Sequence, residues 1–126
     1  MVREVWAHFS ADENYFTKDG KRYPYEEGMG PYEYLMGALS GCFASTLRDE
    51  MEEEGVSFSH IELHTWGIKR DAMPSTLKET HIEITVVSQC SRKSIERCVM
   101  KAQEHCSMYQ TVKCVSDMHV DLEVKA

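Results

Sequence analysis

Cys42 closes the run Gly30-Pro31-Tyr32-Glu33-Tyr34-Leu35-Met36-Gly37-Ala38-Leu39-Ser40-Gly41-Cys42. A helix face that combines glycine, alanine and a thiol permits close backbone approach and shields the sulfur from bulk water. Such a thiol is either a small core residue or a protected redox centre. Free cysteine is among the most buried residue types, which favours the first reading. Reactivity needs the thiolate, and therefore a nearby positive charge or hydrogen-bond donors. Position 42 lies more than two turns inside its helix pattern, where the N-terminal dipole helps little. A cation must come from elsewhere. Arg22, at the end of a predicted hairpin, is a better candidate than Arg48, which points to a different part of the helix surface. Glu33, in the first helical turn, either orients an arginine near the thiol or is an ordinary first-turn acid favoured by the dipole.

Cys106 ends a second helix pattern, where the dipole disfavours a thiolate and makes it a poor first nucleophile. It can still trap an oxidised partner as a disulfide, provided the fold brings it beside Cys42. Cys98 shares a helix face with Cys106 but lies about 12 Å away along the axis, too far to bridge. Cys90 and Cys114 sit at element edges and receive no role. The five cysteines form no CxxC and no zinc-type pairing, so no structural metal is expected. An odd cysteine count without such pairing suits a reducing cytoplasm. His60 and His64 share a predicted strand face about 13 Å apart, which excludes a chelating pair within that strand. His105 reads as a solvated helix-end residue, and Glu50, Glu52, Glu53 and Glu54 as a solvated helix end.

These residues need elements to hold them. Val2 to Phe9 alternates and predicts a strand. Tyr15-Phe16-Thr17 and Lys21-Arg22-Tyr23 flank a turn with the Asp19-Gly20 signal and predict a hairpin. Pro31 suits a first helical turn, and an apolar stripe of Leu35, Leu39, Cys42, Phe43, Thr46 and Leu47 runs to about Glu54 before Gly55 stops it. Gly37, Gly41 and Ser45 recur at four-residue spacing and predict a groove for close packing. Glycine costs about 1 kcal/mol in a helix interior, so two of them there call for a use. His60 to Lys69 and Thr80 to Val87 alternate as strands. Ser91 or Ser94 caps a helix with an inner face of Ile95, Cys98, Val99, Ala102 and Cys106. Met118 to Val124 alternates as the last strand. The order strand, hairpin, long helix, two strands, helix, strand predicts an α+β fold.

The chain has 126 residues, a length that predicts one domain over 1–126. Its parts would be an N-terminal strand and hairpin (1–28), a central helix (31–54), and strands with a second helix and last strand (60–126). The net charge of −7 and the run Asp49-Glu50-Met51-Glu52-Glu53-Glu54 argue against nucleic acid, since phosphate contacts need a basic surface. No stretch approaches the length of an apolar membrane span and the start shows no apolar signal core, so neither a membrane nor secretion is expected.

The first motif, followed 64 residues after Cys42 by Glu104-His105-Cys106-Ser107-Met108-Tyr109-Gln110-Thr111, resembles the OsmC/Ohr family of osmotically induced and organic-hydroperoxide-resistance proteins. That resemblance implies antiparallel sheets around a long central helix, in an intertwined homodimer whose two active sites lie at the interface. It implies a cysteine-based peroxidase without metal or organic cofactor. Cys42 would be the peroxidatic thiol, Cys106 the residue that condenses with it, and a dithiol would be the reductant. An upstream arginine, here Arg22, would stabilise the thiolate, with a glutamate, here Glu33, holding that arginine. The chain departs from the family pattern at Tyr32, where the organic-hydroperoxide branch has its glutamate, and at Ser107, where proline is common. Two other readings stand beside the peroxidase. One is a non-catalytic protein of the same fold that binds a small apolar ligand in the interface cleft. The other is a redox sensor built on a Cys42–Cys106 disulfide.

Overall fold

Asp19 and Gly20 carry φ of 50° and 77°, the left-handed pair that a two-residue type I′ hairpin turn requires. The turn joins β2 (Asn14–Lys18) to β3 (Lys21–Pro24), antiparallel with Thr17 opposite Arg22. β1 (Trp6–Phe9) pairs with the other edge of β2. The strand expected from Val2 starts only at Trp6, because the ladder ends at Trp6↔Thr17 and the earlier residues have no partner. Residues 1–126 are described by the structure, a computed structural model. They form two units, Met1–Glu33 and Tyr34–Ala126; the three-stranded sheet belongs to the first.

Helix α1 runs from Pro31 to Glu54. The Glu33 carboxylate accepts a hydrogen bond from the Gly30 N–H at 3.0 Å, which satisfies one of the donors left over at a helix start. At the other end Gly55 takes φ 69° and Val56 N–H donates to Met51 O at 2.8 Å, a left-handed C-terminal stop. Between these ends Leu39, Phe43, Leu47 and Met51 recur every fourth residue, all fully buried, so one side of the helix enters the core.

The second unit continues with β4 (His60–Lys69), β5 (Leu77–Val87), α2 (Arg92–His105), α3 (Ser107–Lys113) and β6 (Asp117–Lys125). Thr80, Ile82, Ile84 and Val86 of β5 are buried, while Glu79, His81 and Glu83 point to the opposite face, as period-two alternation dictates. Ser91 caps α2, its side chain accepting from Ser94 N–H. The expected inner face of α2 is buried at Ile95, Cys98, Val99, Ala102 and Cys106. Two hydrogen bonds locate these layers: Ser40 donates to Thr65 at 2.7 Å, from α1 to β4, and Arg92 donates to Leu122 O at 2.9 Å, from α2 to β6.

The mixed α+β class is as expected, with two corrections. The sheets are not wholly antiparallel: β4 and β5 pair antiparallel, but β5 and β6 run parallel, with His81 opposite His119. The connection between β5 and β6 contains two helices, and a crossover of that kind returns the chain in the same direction. The second correction is α3, a seven-residue helix too short to show a periodic signal. No helix is long and apolar enough to cross a membrane.

Candidate active site around Cys42 and Cys106

Cys106 occupies the corner between α2 and α3. Its N–H closes α2 by donating to Ala102 O at 2.8 Å. Its sulfur then accepts from the Tyr109 N–H at 3.4 Å, so the same residue caps the start of α3. One residue thus ends one helix and begins the next, and its side chain is held in place, fully buried.

Cys42 projects from α1 towards that corner. The two sulfurs lie 3.3 Å apart, with the Cys106 thiol donating to Cys42. The Ser107 hydroxyl lies 3.9 Å from the Cys42 sulfur. Burial pushes the Cys42 thiol up, but the Met108 N–H, the Cys106 thiol, and the hydroxyl and N–H of Ser107 outweigh it, and the group titrates below the ordinary thiol value. Cys106 is shifted the other way. Burial raises it first; the Tyr109 and Met108 amides lower it, and the neighbouring Cys42 raises it further. The pair is therefore polarised: Cys42 gives up its proton more readily than an ordinary thiol, and Cys106 holds its proton more tightly. A thiol of lowered pKa in contact with a second thiol can in general be oxidised at the first sulfur and form a disulfide with the second.

The sequence reading asked for a cation beside Cys42. The donors just named are neutral groups from Cys106 and the two residues after it. Direct adjacency to that cysteine was the only signal for them, and nothing in the residue types marked Ser107 or Met108. The weak thiolate character expected of Cys106 from the α2 dipole has a different leading cause, its burial.

Arg22 lies on β3. It donates to Glu13 at 3.0 Å and stacks over Tyr15, 3.7 Å from the ring centroid. Glu33 sits in the first turn of α1 with its carboxylate on the Gly30 N–H. In the second unit, Glu50 departs from expectation. It is buried, not solvated, and its carboxylate meets His105 Nδ1 at 2.5 Å. This pair, with Glu54 and Lys101 at 2.5 Å, ties the end of α1 to α2. Phe43 and Tyr109, with ring centroids 6.0 Å apart, tie α1 to α3. These contacts fix the corner that carries Cys106 against the helix that carries Cys42.

Comparison with known proteins agrees with this architecture. The family model for OsmC-like protein matches residues 24–122. A hypothetical protein from Aquifex aeolicus superposes with a TM-score of 0.88 at 22% identity, covering 99% of this chain and 97% of that one. An OsmC like protein from Mycoplasma pneumoniae does so with a TM-score of 0.87 at 14% identity, covering 100% and 99%. The organic hydroperoxide resistance protein OhrB of Bacillus subtilis gives 0.68 at 17% identity, covering 98% of both chains. At these identities the structures establish a shared fold. No curated protein matches the chain. With the matching model spanning most of its length, the chain belongs to the OsmC-like protein family.

Proposed function

We propose that this protein is a cysteine-based peroxidase that reduces organic hydroperoxides, or hydrogen peroxide, in a reducing cytoplasm. The observation that carries the reading is the polarised pair, a Cys42 sulfur of lowered pKa with a protonated Cys106 thiol 3.3 Å away. The Cys42 thiolate attacks the distal oxygen of the hydroperoxide. The O–O bond breaks, the alkoxide leaving group takes a proton and departs as an alcohol (or as water from hydrogen peroxide), and Cys42 becomes a sulfenic acid. The Cys106 sulfur then attacks the Cys42 sulfur, and the hydroxyl leaves as water with the Cys106 proton. The sulfurs must close from 3.3 Å to about 2.05 Å for the disulfide. A dithiol reductant restores both thiols by exchange.

Ser107 supports this reading. Where proline is common in the resembled family, serine adds an N–H and a hydroxyl, and both lower the Cys42 pKa. The name of the Bacillus subtilis relative, an organic hydroperoxide resistance protein, also fits.

The same reading includes a homodimer. Gly37 and Gly41 of α1 are exposed, and a Cβ built on either would meet nothing within 4 Å. A helix face that carries two glycines at a cost of about 1 kcal/mol each is suited to a second copy of the helix packed against it.

The experiment is intact-mass and peptide analysis of the reduced protein after one equivalent of cumene hydroperoxide, in parallel with hydrogen peroxide. Rapid loss of two hydrogens with a Cys42–Cys106 cross-link supports the two-cysteine mechanism, and the faster oxidant gives the substrate class. An unmodified Cys42 while exposed thiols oxidise overturns it.

A further inference from the structure

On the outer face of the second sheet, the parallel register of β5 and β6 sets His81 beside His119, and Glu79 lies two residues before His81 on the same face. The Glu79 Oε1 atom is 3.2 Å from His81 Nε2 and 3.6 Å from His119 Nε2. One donor atom from each of the three residues lies within 4.8 Å of the others. We propose that Glu79, His81 and His119 form a binding site for a single divalent transition-metal ion of the zinc class, with solvent completing its coordination.

The geometry fits a small ion. With metal–nitrogen and metal–oxygen bonds of about 2.1 Å, donor atoms of a tetrahedral set stand about 3.4 Å apart. The two carboxylate–imidazole separations already bracket that length, and rotation of the imidazoles about their side-chain bonds would bring both Nε2 atoms towards a shared ion. Two imidazoles and a carboxylate suit zinc, cobalt, nickel and copper ions better than magnesium or calcium, which favour all-oxygen sets.

The rings of the cluster are stacked, and binding one ion would turn them out of this stack. His81 lies between His119, with centroids 4.5 Å apart and planes 10° from parallel, and Trp66 of β4, at 4.7 Å and 4°. Glu79 and His81 are only 30% and 21% exposed and His119 is 48% exposed, so the site is shielded below and open to solution above. Asp117 is in register with Glu79, and Asp121 with Glu83. This alternation places both aspartates on the His119 face of β6, and the negative field they create attracts a cation.

Trp66 makes the proposal measurable, because paramagnetic Ni²⁺ or Cu²⁺ held beside it quenches its fluorescence. The test is titration of the reduced Trp6→Phe protein with Ni²⁺, followed by displacement with Zn²⁺. The expected result is saturable quenching at one ion per chain, reversed by Zn²⁺. His119→Gln and Glu79→Gln should each weaken binding by at least about tenfold, the scale of losses at metal-supporting residues. Cys42→Ser should leave it unchanged, which separates this site from adventitious binding to thiols. Absence of saturable quenching, unchanged affinity in His119→Gln, or loss of binding in Cys42→Ser would each overturn the assignment. Circular dichroism of the half-exposed His119→Gln variant checks that its fold is intact.

Discussion

The Cys106 thiol points its proton at the Cys42 sulfur across 3.3 Å, and this contact, with burial of Cys106 and the Met108 and Ser107 donors on Cys42, gives two chemically identical side chains opposite tendencies. One is held below the ordinary thiol pKa and the other above it. Order of reaction follows from this asymmetry, since the thiolate is the nucleophile.

Cys42→Ser is therefore expected to reduce peroxide consumption to background. Cys106→Ser keeps the first oxidation but lacks the partner that condenses the sulfenic acid, so Cys42 should accumulate as sulfinic and sulfonic acid. Turnover assays and mass spectrometry of both variants check this. Peroxide consumption by Cys42→Ser at the parent rate would exclude the mechanism.

Ser107 occupies the first position of α3, where proline is tolerated by the helix. Ser107→Pro removes both the N–H and the hydroxyl that lower the Cys42 pKa, and Ser107→Ala only the hydroxyl. The pH profile of Cys42 alkylation should shift upward in both, and further in the proline variant. Arg22, already engaged by Glu13 and Tyr15, is expected to shift the profile less when changed to alanine. An equal or larger shift would place its guanidinium among the groups that activate Cys42.

Phe43 is fully buried and its ring meets Tyr109 of α3. Phe43→Ala should cost about 3–5 kcal/mol of stability in denaturant unfolding. It should also slow Cys42 oxidation at pH values where the protein remains folded, because the residues that donate to the thiolate lie on the segment that Tyr109 anchors. A full loss of stability with unchanged oxidation kinetics would separate α3 packing from the chemistry.

Glu50 raises the pKa of His105 above its ordinary value, about 6.5 in an unfolded chain. A base whose folded pKa is raised stabilises the fold fully below the unfolded value, and the contribution fades as pH rises through the folded one. The melting temperature of the parent should thus exceed that of His105→Gln most near about pH 6 and converge with it near about pH 9. A difference constant with pH would mean the pair acts through packing alone.

Gly41→Leu probes the proposed dimer. The site is open on this chain, and leucine gains about 1 kcal/mol of helix propensity over glycine, so the fold should be retained while a close helix–helix approach is blocked. The parent is expected to run as a dimer in light scattering and the variant to shift towards monomer. Dimers in both would assign the interface to another face.

Much of this molecule can be read from local pattern. The Asp19-Gly20 turn, the Pro31 start and Gly55 stop of α1, the Ser91 cap, and the buried face of α2 each depend on residues a few positions apart, and local physics decides them. Cys42 and Cys106 were singled out for a different reason, their resemblance to a known motif pair, and the structure brings their sulfurs to 3.3 Å. What surrounds them was not. The Ser107 and Met108 amides are backbone groups that every residue type but proline provides, so only the bend between α2 and α3 turns them into donors for a sulfur on α1. Glu50 resembled its solvated neighbours until the approach of α2 buried it against His105. Glu79, His81 and His119 were invisible as a cluster because strand spacing speaks only of residues on one strand, whereas a parallel crossover brought position 119 beside 81. Sequence alone determined the two long helices and the turns, and it singled out Cys42 and Cys106 as candidates. Tertiary structure decided which groups face them, because those encounters lie between elements far apart in the chain, where no local periodicity reaches.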